Sequence, residues 1–195
     1  INATTGGIQV EQLSEKNYPE LFQKVEALRA NILKNFPNDP TPPVLIIKDE
    51  GVFAGYAKQG RESAVTTEQV LITTGLIDKM GVDGTLSAIA HEFGHDMLNH
   101  DTSVNPSQLL LPPAIFSDEA RENLLNHIRS SECEADHFAA QYVDPKVSAE
   151  ALSKLNEGIV SEYERTHPPI TERIMALNNA EIVNTPIDKV QFTPQ

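Results

Sequence analysis

The sequence predicts an α+β fold that is mainly helical, with a small sheet in its N-terminal half. Two observations carry this. Apolar residues recur at helical spacing in most segments from residue 19 to about 180, and the two clear β-branched runs, VLIIK (44–48) and VLITT (70–74), both fall in the first 75 residues. The 195 residues, 39% of them hydrophobic, suffice for one sizeable core. A single domain over 1–195 is expected, with its core in about 19–180 and an extended tail over 181–195.

In order, residues 1–13 are mixed and read as extended. A helix follows from Pro19, with Leu21, Val25, Leu28, Ile32 and Phe36 on one face and Pro37 ending it. PNDPTPP (37–43) is a loop, VLIIK a buried strand and Val52–Tyr56 a candidate edge strand. VLITT is a strand closed by Gly75. Asp83 can cap a helix running to about His100, with the stripe Leu86, Ile89, Ala90, Phe93 and Met97. Residues 101–117 form a loop. Asp118 can cap a long helix ended by Asp144-Pro145; further helices are expected over about 147–165 and 171–180.

Charge and cysteine content exclude several functions. With 15 Lys+Arg against 28 Asp+Glu, the formal charge is −13, a poor basis for gripping nucleic acid or an anionic membrane surface. A single cysteine, Cys133, excludes an intrachain disulfide and a multi-cysteine zinc site. Lying between two acids, it is expected to have a raised thiol pKa and to be a poor nucleophile. No apolar run approaches the ~18 residues of a membrane span. The longest, Leu109–Phe116, is broken by two prolines. The chain opens at Ile1 and not Met, so a leader removed either naturally or in preparing the protein is expected.

His91-Glu92-Phe93-Gly94-His95 is H-E-x-x-H inside a predicted helix. Side chains at i and i+4 stack on one helix face, so both imidazoles can meet one metal ion, with Glu92 beside it to take a proton from bound water. A catalytic zinc site needs a third protein ligand and keeps one position for water. The pattern with a glycine three residues on and a third ligand six on fails, because Leu98 and Asp101 stand there; His100 is one residue out of register. A glutamate from the later helix remains. Leu125, Ile128, Ala135, Phe138, Ala139 and Tyr142 define its buried stripe, and Glu132 and Asp136 fall on or beside it. A carboxylate there needs a partner. Zinc bound to Glu132 and an imidazole N–H bound to Asp136 would satisfy both. Glu134 points elsewhere and reads as surface acid; His127 and His137 read as helix-face histidines and His100 as structural.

HEFGH, then E-x-E-A-D (132–136), then Thr166-His167-Pro168-Pro169 with Arg173 six residues after the histidine, resemble the HtpX/CAAX-prenyl-protease/BepA-type zinc metallopeptidases, which are gluzincins. The resemblance covers roughly residues 70–180 and includes the lead-in ITTGLID (72–78). It implies a zincin-like fold with a small sheet beside the H-E-x-x-H helix. It further implies one Zn²⁺ held by His91, His95 and Glu132, with Glu92 as general base and Asp136 supporting a ligand histidine. His167, steadied by Arg173, becomes a candidate fourth ligand or switch. Tyr163 is a candidate oxyanion stabiliser, weighed against plain packing. Leu109–Phe116 is either a loop tucked into the core or a lid over the cleft. The sequence departs from the family pattern in a connector of only 36 residues between His95 and Glu132 and in a poor match over 51–69, and no tetratricopeptide array is expected after the core.

The expected function is a zinc endopeptidase acting on extended or unfolded polypeptide laid along a sheet edge, with a role in quality control or processing. By resemblance it works outside the cytoplasm, in a bacterial periplasm. Two alternatives stay open: a zinc-binding chaperone or regulatory module with His167 closing the fourth position, and a structural helical domain with incidental His and Glu.

Overall fold

The computed structural model describes residues 7–59, 67–100, 112, 114–115, 117–156 and 169–180. Its elements are β1 (Val10–Gln12), α1 (Pro19–Asn35), β2 (Val44–Ile47), β3 (Ala54–Gln59) and β4 (Thr67–Thr73), then α2 (Thr74–Met97), α3 (Asp118–Tyr142), α4 (Pro145–Asn156) and α5 (Ile170–Asn179). The mainly helical α+β expectation holds.

The four strands run in the order β1-β2-β4-β3. β2 and β4 are parallel, Val44 opposite Val70, while β1 and β3 flank them antiparallel. The β-branched runs thus form the centre of the sheet, where Val44, Ile46, Val70 and Ile72 are buried. β3 is an edge strand, as expected, but it starts at Ala54 and runs on to Gln59, and β4 begins three residues before the predicted strand. The outer end of this pair is polar and escaped the hydrophobic reading. It is held by cross-strand pairing, with Lys58 opposite Glu68 and their charged ends 2.9 Å apart.

Helix starts differ from the prediction in three places. α2 begins at Thr74, where the Thr73 hydroxyl accepts the Leu76 N–H at 3.2 Å. It is broken at Gly81, whose φ of 68° is open to glycine, and resumes as the predicted motif helix. Asp83, the expected cap, meets Lys24 of α1 at 2.6 Å. Ser117 rather than Asp118 caps α3. α4 starts at Pro145, because proline suits the first turn of a helix as well as it ends one. Residues 157–165 of the predicted helix and the 181–195 tail lie outside the described residues.

The main core joins the sheet to α1, α2 and the C-terminal half of α3 through Leu21, Leu28, Ile46, Ile72, Leu86, Ile89, Phe93 and Tyr142, among others. The Tyr142 hydroxyl accepts a 3.0 Å bond from Asn35. A smaller cluster of Ala149, Leu152, Ile170 and Leu177 joins α4 to α5. Ser87 and Ser148, both buried, tie α2 to α4 at 2.7 Å. None of the described helices is long and apolar enough to cross a membrane.

Candidate active site

His91 and His95 lie one turn apart on the second half of α2, their Nε2 atoms 3.1 Å apart. α3 crosses that helix at Gly94. A Cβ there would stand 3.1 Å from both the Cα and the carbonyl oxygen of Ala135, so only glycine lets the backbones come this close. The close crossing brings Glu132, one turn earlier on α3, over the imidazoles. Its carboxylate oxygens lie 3.2 Å from His91 Nε2 and 3.4 Å from His95 Nε2. One donor atom from each of the three residues falls within 4.8 Å of the others. Two imidazoles and a carboxylate are a donor set that suits Zn²⁺ and leaves a position for water. Of α3's predicted stripe, Ala135, Phe138, Ala139 and Tyr142 are buried, whereas Leu125 and Ile128 are only half-buried.

Asp136, one turn on from Glu132, receives His91 Nδ1 at 2.9 Å. Arg173 of α5 grips the same carboxylate from behind, its Nε and Nη2 each donating at 2.7 Å to different oxygens. Arg173 thus supports Asp136, a role beyond the expected steadying of His167. Burial disfavours the Asp136 charge, but Arg173 and His91 outweigh it and hold the carboxyl down at about 2. Burial likewise opposes charge on His91, yet its bonds to Asp136 and Glu132 raise it to about 10. A metal entering the group would therefore displace a proton.

The outer nitrogen of His95 is also engaged. His95 Nδ1 lies 2.9 Å from His100 Nδ1, and His100 Nε2 lies 3.2 Å from Glu134. Burial lowers the His100 pKa and favours its neutral form. Glu134 is exposed, as expected of a surface acid, and His100 is held between it and His95. The overlooked signal was Asn99, a residue tolerant of the left-handed turn that folds His100 back.

Glu92 points into the fold and is 8% exposed. Burial raises its pKa, opposed by the neighbouring imidazoles and by a hydrogen bond from the Tyr56 backbone. The Tyr56 hydroxyl donates to Asp96 Oδ1 at 2.6 Å. Edge strand β3 is thereby fastened to the motif helix at two points. A cavity of about 570 Å³ opens between them, lined by Phe53, Gly55 and Tyr56 on one side and Met80, Leu152 and Leu155 elsewhere, with His91, Glu92, His95 and Glu132 in its wall.

His127 and His137 are exposed on α3, as expected, His127 at the cavity rim. Cys133 is exposed, its thiol pushed up by partial burial and by Asp136. His167, Tyr163 and Leu109–Leu111 of the candidate lid lie outside the described residues. From that run Pro112, Ala114 and Ile115 are described, all exposed, Ile115 at 71%.

Residues 108–181 match the family model described as Peptidase family M48. That span holds Glu132, Asp136 and Arg173 but not the H-E-x-x-H helix. In fold, the chain is similar to the crystal structure of S. mikatae Ste24p, with a TM-score of 0.52 and 17% sequence identity. The match covers 88% of this chain and 51% of that one, so the chain spans about half the length of the matched structure. No curated protein matches the sequence. The family match agrees with the motif resemblance over the C-terminal part of the chain, and the structural match agrees with it in fold.

Proposed function

We propose that the chain is a zinc-dependent endopeptidase, with His91, His95 and Glu132 as metal ligands and Glu92 as general base. The observation that carries this reading is the convergence of those three donors within 4.8 Å beside a buried glutamate. Zinc held there would polarise a scissile carbonyl and make a water acidic enough to yield its proton near neutral pH.

The chain's own residues account for the rest of the chemistry. Asp136 accepts the Nδ1 proton of His91 and leaves Nε2 free to bind; Arg173 fixes that carboxylate. Glu92, its proton affinity raised by burial, takes a proton from the attacking water and passes it to the leaving amide nitrogen. The hydrogen bond from Tyr56 keeps its carboxylate aimed.

The substrate we propose is an extended or unfolded polypeptide pairing with β3, the terminal strand of the sheet. Main-chain pairing accepts many sequences, and the apolar cavity wall favours a hydrophobic side chain near the cleaved bond. A role in protein quality control or processing outside the cytoplasm, in a bacterial periplasm, is part of the same proposal and is supported by the motif resemblance alone.

The test is a pair of proteins. The wild type should bind one zinc per chain and cleave casein or an unstructured peptide. Glu92→Gln should keep the zinc and lose at least about 100-fold in turnover. Stoichiometric zinc with no cleavage by either protein would favour a non-catalytic zinc-binding module. Absence of zinc would sink both readings.

A further inference from the structure

His91 has a conspicuous support in Asp136 and Arg173. His95 has one of a different kind, built from the end of its own helix. α2 ends with Asn99 at φ 52°, in the left-handed region. The Asn99 N–H bonds the Asp96 carbonyl at 2.9 Å, and the His100 N–H bonds the His95 carbonyl at 2.9 Å. These two bonds make a Schellman ending, with asparagine in the place glycine usually takes. Lys58 of β3 donates to the Asn99 side chain at 3.2 Å and joins the turn to the sheet.

Such an ending brings together the residues that begin and follow the last turn, and an apolar contact between them is usual. Here the two residues are His95 and His100. Their Nδ1 atoms are 2.9 Å apart and their rings meet edge to face at 68°. His100 continues to Glu134 Oε2 at 3.2 Å, and Glu134 Oε1 accepts the Ser130 hydroxyl at 3.0 Å. The His100 side chain is only 10% exposed.

Proton positions follow from the carboxylate end. An ionised Glu134 only accepts, so His100 Nε2 carries the hydrogen. The contact between the two Nδ1 atoms needs one donor and one acceptor; with His100 Nε2 turned to Glu134, His100 Nδ1 is the acceptor and the hydrogen between the rings belongs to His95 Nδ1. That leaves the His95 Nε2 lone pair facing His91 and Glu132. Asp136 achieves the same for His91 by a shorter route.

We propose that His100, backed by Glu134, is a positioning residue of the metal site, which fixes the tautomer and ring orientation of His95. The proposal rests on the zinc-site reading above. His100 binds no metal; it acts through His95.

The test compares the full chain with His100→Ala, His100→Gln and Glu134→Ala. Three quantities are read: zinc affinity by chelator competition, the visible spectrum of the Co²⁺-loaded protein, and urea stability of the metal-stripped protein. His100→Ala should weaken zinc binding about 10- to 100-fold and shift the cobalt bands. His100→Gln offers an amide oxygen to the same N–H and should restore most of the affinity. Glu134→Ala should cost about threefold, because Glu134 is largely exposed. A merely structural histidine would lower metal-free stability but leave zinc affinity and the cobalt spectrum unchanged, and that result overturns the proposal. If His100→Ala does not fold, Glu134→Ala decides: affinity and spectrum identical to wild type overturn it. No zinc binding by the wild type would overturn the site reading itself; tight binding unchanged in every variant overturns only the role of His100.

Discussion

Replacing Gly94 with alanine should separate the two helices that build the metal group, and the size of the effect can be worked from the crossing. The new Cβ would lie 3.1 Å from the Ala135 Cα and carbonyl oxygen and 3.2 Å from Phe138 Cδ1. Comfortable carbon contacts lie at about 3.5–4.0 Å, so α3 must retreat by roughly half an ångström. Overpacking of this kind costs about 1–3 kcal/mol, while alanine favours a helix over glycine by about 1 kcal/mol. The metal-free protein should thus lose between nothing and about 2 kcal/mol. The metal site should suffer more, since Glu132 rides on the displaced segment and a ligand set tolerates only about 0.5 Å of misplacement. Zinc affinity should fall roughly tenfold. Urea unfolding in EDTA and chelator competition measure the two effects separately. A Gly94→Ala protein with unchanged or higher stability and wild-type zinc affinity would refute the idea that this crossing sets the site.

Three further outcomes follow from the contacts. The Asp136 carboxyl is held at about 2, below its ordinary 3.8, so it stabilises the metal-free fold above pH 4 and that contribution fades as pH falls toward 2. It amounts to about 2 kcal/mol, and Asp136→Asn should abolish it; parallel urea-midpoint profiles for the two proteins between pH 4 and 2 would contradict this. Tyr56→Phe strips the buried Asp96 of its 2.6 Å donor and should destabilise the protein by about 1–3 kcal/mol. It should also lower kcat/KM on a peptide while leaving zinc affinity unchanged, and full activity at wild-type stability would count against the tether. Zinc at a thousand times its Kd should add about 4 kcal/mol to unfolding. A thermal melt indifferent to zinc and EDTA would argue that the group holds no metal.

What could be read in the sequence was what depends on local spacing. His91 and His95 are a helical turn apart in any helix, and Glu132 and Asp136 stood out as acids beside an apolar stripe. The buried runs 44–48 and 70–74 signalled the sheet centre for the same reason. Features set by one dihedral or by distant contacts stayed hidden. His100 reaches His95 only because Asn99 turns left-handed. Tyr56 and Asp96 meet across 40 residues, and Arg173 reaches Asp136 across 37. The outer half of the β3–β4 pair was missed because cross-strand partners, rather than hydrophobic alternation, hold it together. The Gly81 break hid a helical turn that the Thr73 hydroxyl begins.

If the chain cleaves peptides as proposed, the double fastening of β3 would bear on which bond is cut. The Tyr56 main chain holds Glu92 and its ring hydroxyl holds Asp96, one helical turn further on. The strand therefore cannot slide along the motif helix without dragging Glu92 with it. A peptide laid against β3 would be indexed like tape against a fixed stop. Its permitted positions would be about 6.8 Å apart, two residues of strand, because a slip of one residue turns every side chain to the other face. Which peptide bond faces Glu92 would then be decided in two stages: backbone pairing offers every second bond, and the cavity wall chooses among them by the side chain it receives.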